Sequence, residues 1–178
     1  MPAAASDSPY RSDMRRVARL AVAALLSGSP TAAAVAQEGS TAQVSGWNAS
    51  CVSEGRTAPA RCQMEQRIVL QQGNRTLLTV KVEMPAEPRR PALLFQMPLG
   101  LHLPSGIVLK LDQGQPQQVA IQSCDPNGCY AGMAVEDSLL AGLKAGNTLQ
   151  VTLHNLAGET IEVPVPLAGF SAAYARIE

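Results

Sequence analysis

The sequence has 178 residues, 46% of them apolar, and its 14 basic and 14 acidic side chains cancel. That length suits one ordinary domain. The apolar content excludes a disordered chain, and the balanced charge argues against a nucleic-acid binder, which carries a basic excess on one face.

The first 36 residues read as an N-terminal extension and secretory leader. Arg15, Arg16 and Arg19 make a positive start, Leu20 to Leu26 is a short apolar run, and Ala34-Val35-Ala36 is an A-x-A site, so cleavage is expected after Ala36. Translation from Met14 would keep every part of that signal. The apolar run is well short of the ~20 residues that span a bilayer. Arg15-Arg16 fits twin-arginine export poorly in its flanks, and the absence of cysteine between Ala36 and Cys51 argues against a lipid anchor. Taking 36 residues from 178 leaves 142, with 10 basic and 12 acidic side chains and all four cysteines. The expected product is a single β domain over 37–178, exported to the periplasm or outer envelope. It has no transmembrane span once the signal is removed.

Gln37 to Ser45 is small and polar and reads as a loose N-terminus. A first short strand is expected over Gly46 to Cys51, followed by a loop from Glu54 to Ala60. Cys62 to Gln72 alternates, with Met64, Gln66, Ile68 and Leu70 on one face and Glu65 and Arg67 on the other. After the Gly73-Asn74 turn, Leu78, Val80 and Val82 alternate with Thr79, Lys81 and Glu83, so residues 62–84 predict a β-hairpin. Pro85 to Pro91 is a proline-rich loop and Ala92 to Met97 an apolar strand. Two strands follow, Ile107 to Asp112 and Gln117 to Ser123, then a tight turn from Cys124 to Cys129 and a strand from Tyr130 to Val135. Glu136 to Ala145 predicts the one clear helix, capped by Asp137 or Ser138 and stopped by Gly146. Thr148 to Asn155 and Thr160 to Val165 predict a second hairpin. The alternate prolines Pro164 and Pro166 place its last strand at an edge. The chain ends in an Ala/Tyr stretch of about one helical turn. The fold class expected is all-β: an antiparallel β-sandwich of about 8–9 short strands with one short helix, stapled by disulfides.

In an oxidising compartment, four cysteines most simply form two disulfides. Three connectivities exist. Cys51–Cys62 and Cys124–Cys129 are favoured because each pair brackets a turn between strands. The alternatives are weaker. Cys124 and Cys129 lack the two-residue spacing of a redox C-x-x-C, and the gap from Cys51 to Cys62 suits a zinc site poorly. His102 and His154 sit in no nucleophile–histidine motif. Met64, Met84, Met97 and Met133 are not spaced for copper, and Glu136-Asp137 most simply begin the helix. Gly100 and Gly106 do not precede a helix as a phosphate loop does. Arg89-Arg90 reads as a solvated basic pair. The residues therefore nominate no catalytic, cofactor or metal site.

Several blocks resemble one family: Trp47-x3-Cys51, Cys62-Gln63-Met64-x-Gln66, Pro98-Leu99-Gly100-Leu101-x-Leu103-Pro104-x-Gly106-Ile107, Cys124-x4-Cys129, and Gly169-Phe170-Ser171-x-Ala173-Tyr174. Together they resemble the invasion-associated locus B family across nearly all of 47–174. The resemblance implies a periplasmic or envelope-associated protein of a Gram-negative bacterium, of use in host-cell invasion or envelope interactions. It implies no catalytic residue and no cofactor, and its partner would be an unidentified protein or envelope component rather than nucleic acid. Two other functions compete with this non-enzymatic reading: a periplasmic small-ligand or metal carrier, and a thiol-redox protein.

Overall fold

A computed structural model of the chain describes residues 42–53, 55, 56, 60–85, 87 and 89–178. The leader with its Ala36 site, residues 37–41 and parts of the 54–60 and 85–91 loops lie outside the described residues.

The strands are β1 (Ala42–Val44), β2 (Asn48–Val52), β3 (Arg61–Leu70), β4 (Arg75–Met84), β5 (Ala92–Met97), β6 (Ile107–Leu111), β7 (Gln117–Val119), β8 (Ile121–Asp125), β9 (Gly128–Ala134), β10 (Thr148–His154) and β11 (Thr160–Pro166). Two α-helices complete the body, α1 (Asp137–Ala145) and α2 (Phe170–Tyr174). A seven-stranded sheet runs β1-β3-β4-β5-β9-β8, with β2 also paired to β3. A four-stranded sheet runs β11-β10-β6-β7. Each pairing is antiparallel. The all-β expectation therefore holds, with α2 at the expected C-terminal helical turn and eleven strands among the described residues where eight or nine were expected.

Period-two patterning explains the core. Met64, Gln66 and Ile68 of β3, Val80 and Val82 of β4, and Leu93 and Phe95 of β5 are buried on one face of the large sheet. Ile107, Leu109, Leu149, Val151, Leu153, Val163 and Val165 are buried on the small sheet. β11 is an edge strand, which is where a strand holding Pro164 and Pro166 can sit without costing ladder bonds.

Three local expectations need correction. Part of the segment read as a loose N-terminus is β1, whose Ala42 pairs with Leu70 although all three of its residues are exposed. The run 117–123, read as one strand, is divided between the sheets: β7 lies in the small one and β8 in the large one, with Ala120 at the corner. Helix α1 takes Glu136 as its N-cap, with no side-chain capping bond, rather than Asp137 or Ser138. Asp137 lies in the first turn instead, where its charge suits the helix dipole.

The aromatic residues close one end. The Trp47 ring meets Phe170 edge-on at 5.1 Å, and Phe170 stacks with Tyr174 at 6.1 Å. Trp47 Nε1 donates to Pro166 O at 3.0 Å, so a residue before β2 is tied to the end of β11. Lys144 Nζ of α1 lies 4.2 Å from the Tyr174 ring centre, a cation–π contact that joins the two helices.

Candidate functional site

Both disulfides join residues directly opposite each other in an antiparallel pair. Cys51 faces Cys62 across β2 and β3, and Cys124 faces Cys129 across β8 and β9. Each bond therefore closes a hairpin rather than joining the two sheets. The first lies beside the C-terminus, with Cys51 Sγ 4.0 Å from Arg176 O. The second holds the Pro126-Asn127 turn, where Asn127 N–H donates to Asp125 Oδ1 at 2.7 Å.

The two histidines meet through the backbone, since His102 N–H donates to His154 O at 2.8 Å. His102 is exposed, and its Nδ1 lies 2.7 Å from Ser105 Oγ within the same tight turn. Among the described residues, no carboxylate is hydrogen-bonded to either ring, and buried His154 Nδ1 has no partner. No group of three or more His, Cys, Asp or Glu among the described residues could hold a metal ion. Met64, Met84 and Met97 are buried in the core.

What the fold does assemble is a polar rank on the outward face of the large sheet. The register aligns Arg67, Thr79, Gln96, Tyr130 and Ser123 across β3, β4, β5, β9 and β8. Opposed side chains in such a ladder stand about 5 Å apart. Gln96 Nε2 donates to Asn127 O at 3.3 Å and to the Tyr130 hydroxyl at 3.5 Å. The Tyr130 hydroxyl in turn donates to Asp125, at 3.2 Å and 3.3 Å from the two carboxylate oxygens. Loss of solvent around it, the Asp125 charge and that hydrogen bond all raise the Tyr130 phenol above its ordinary range.

A β-bulge extends the rank. Ile68 pairs with Leu78, but Val69 pairs with Thr76, which leaves Leu77 without an opposite residue. From Leu78 onward the even-numbered residues of β4 point inward. The extra residue reverses that parity and turns Thr76 outward beside Thr79. The result is a groove of about 660 Å³ whose walls include Arg67, Arg75, Thr76, Thr79 and Lys81. Its other end is Gln96 and Asn127 with an apolar ledge of Pro98, Leu99 and Pro126 beside buried Met97. A smaller hollow of about 280 Å³ continues past Lys81 and Gln96 toward Tyr130. Another hollow, of about 580 Å³, lies beside Cys62, where Arg61 is offset by Glu83 and Glu87.

The sequence nominated no basic site, reading Arg89-Arg90 as a solvated pair, and missed this grouping, which Arg89 and Arg90 do not line. Arg67, Arg75 and Lys81 are apart in the chain and converge only through the hairpin register. The Gly73-Asn74 turn begins the pairing at Leu70 and Arg75, and the bulge at Leu77 then sets Arg67 opposite Thr79.

A model of the "Invasion associated locus B (IalB) protein" family matches residues 47–178. The chain belongs to the invasion-associated locus B family. An invasion protein B homologue of Brucella abortus strain 2308 is 32% identical over 133 residues, covering 74% of this chain and 75% of the relative. A homologue from Brucella abortus biovar 1 strain 9-941 matches with the same identity and coverage. The crystal structure of invasion associated protein B from Bartonella henselae superposes with a TM-score of 0.63 at 24% identity, covering 74% of this chain and 90% of that one. That likeness speaks to the fold. None of these relatives carries an enzyme's name.

The blocks that resemble the family mostly serve architecture. Trp47, Phe170 and Tyr174 are the aromatic closure, and the cysteines close the two hairpins. Gly106 adopts φ 59°, and a Cβ there would lie 2.5 Å from Val119 O, so the turn into β6 accepts only glycine.

Proposed function

We propose that this chain is an exported, non-catalytic protein of the bacterial envelope that acts by binding another macromolecule through the outward face of its large sheet. Residues 1–36 act as the leader, Ala36 ends it, and 37–178 form the working domain. The two hairpin-closing disulfides support an oxidising compartment. Family membership supports a role in envelope interactions, with host invasion as the use that its relatives' names record. No helix among the described residues is long and apolar enough to cross a membrane.

The observation that carries the reading is the groove itself. It is a preorganised surface whose charged side chains are set on strands, with the disulfide-closed Pro126-Asn127 turn at one end, and no residue of the second sheet or of either helix lines it among the described residues. Cross-linking in intact cells, followed by recovery of the chain from the periplasmic fraction, tests this. A discrete cross-linked partner and a mature N-terminus at Gln37 are expected. Retention in the cytoplasm with the leader intact, or no cross-linked species, contradicts it.

A further inference from the structure

The geometry points to an acidic polypeptide segment with interspersed aliphatic residues as the ligand of the outward groove. This inference deepens the binding function proposed above and rests on it. Charge is the first argument. Among the described residues, the groove is lined by three cations, Arg67, Arg75 and Lys81, and by no acid, with Glu83 entering only in the smaller hollow beyond Lys81. Glu65 pairs with Arg67 at 2.8 Å and also stands opposite Lys81 in the strand register, while Arg75 and Lys81 form no close ion pair among the described residues. Asp125, the nearest acid of the neighbouring hairpin, is engaged by the Tyr130 hydroxyl and Asn127 N–H.

The chemistry of the rest of the groove selects among anions. The exposed side-chain amide of Asn127 and hydroxyl of Thr76 suit peptide groups, which both donate and accept, with Gln96 and the nearly buried Thr79 forming the floor between them. The ledge at Leu99, 56% exposed, offers a seat for an aliphatic side chain. A polyphosphate would leave that ledge unused, and a bilayer surface cannot enter a groove between rows of side chains. Carboxylates on Arg75 and Lys81, amides over Thr79 and Gln96, and an aliphatic group on Leu99 use every part.

The test uses the protein purified from cells that express the whole gene product, and a short labelled peptide of alternating Glu and Leu read by fluorescence anisotropy. Binding that weakens steeply with salt is expected, as is a loss of about tenfold or more when Arg75→Glu and Lys81→Glu are combined. Arg75→Gln and Lys81→Gln serve if the reversed variant does not fold, each with a loss of a few-fold. A peptide with Gln in place of Glu should bind several-fold more weakly. The proposal is overturned if the Glu–Leu peptide does not bind, if Lys–Leu binds equally, or if a variant that melts like the parent keeps full affinity. It is also overturned if vesicles of anionic lipid bind and the peptide does not. Capture of the same cellular partner by parent and charge-reversed protein sinks this inference alone, leaving the broader binding function standing.

Discussion

On β4, Val80 and Val82 are shut between the sheets, while Thr79 and Lys81, their neighbours in the chain, line the groove on the other face, Lys81 half-buried and Thr79 5% exposed at its floor. The same contrast runs through β3, with Met64 and Ile68 against Arg67, and through β5, with Leu93 and Phe95 against Gln96. The inward face is closed by the small sheet and the aromatic end; the outward face is covered by neither. One set of strands thus provides a rigid platform and a display surface, and the period of two keeps their requirements separate. Substitutions on the two faces should therefore act on different observables. Inward changes should cost stability, and outward changes should cost binding.

The largest stability effect is expected at the aromatic end. Phe170, 1% exposed, touches both Trp47 and Tyr174. Phe170→Ala should cost about 3–5 kcal/mol in denaturant unfolding; a cost below about 1 kcal/mol would show that this end does not close the core. The disulfides come next. Replacing both cysteines by serine should cost about 3 kcal/mol for Cys51–Cys62 and about 2 kcal/mol for Cys124–Cys129, the shorter loop losing less. Unchanged melting, or free thiols in the denatured parent, would contradict these bonds. Losing the second bond should also weaken peptide binding, because the Pro126-Asn127 turn forms part of the groove, whereas losing the first should not.

Asp112 falls between the two classes. It is exposed and left-handed, at φ 44°, and its carboxylate accepts from Asn147 and Thr148 N–H at 3.1 Å and 3.0 Å, joining the β6–β7 turn to the start of β10. Asp112→Ala should cost about 1–2 kcal/mol and leave binding intact. Smallest is the effect of Arg75→Gln on stability, within about 0.5 kcal/mol, since the side chain supports nothing beneath it. Tyr130 gives a pH signature. Its folded phenol titrates above the ordinary 10.0, so the stability it contributes is fully present below about pH 10 and is lost as pH rises through the folded value. Ultraviolet titration should place this phenol above an ordinary tyrosine, and Asp125→Asn should move it down. No change would separate Tyr130 from Asp125.

The alternation of β3 and β4 was legible because each inward position holds Met, Gln, Ile, Leu or Val and most outward ones hold charge. The Pro164 and Pro166 edge was legible because proline has no N–H to offer. The bulge at Leu77 was not, since Leu77-Leu78 is an ordinary apolar pair and only the partner strand shows which residue is extra. Nor was the split at Ala120: 117–123 has the residues of one strand, and only the pairing of its first half back onto β6 and of its second half forward onto β9 shows that the two halves join different sheets. Trp47 and Phe170 meet only across the whole domain, so without the family resemblance nothing local couples them. The groove inherits these gaps, because it needs the hairpin register, the bulge and the Cys124–Cys129 turn together.

The most direct measurement is an NMR map of backbone amide shifts on titrating the Glu–Leu peptide into the protein. Shifts should concentrate at Arg67, Thr76, Thr79, Lys81, Gln96 and Asn127, with β10 and β11 unchanged. Perturbations centred on the small sheet, or spread evenly over both, would contradict a binding role for the outward face.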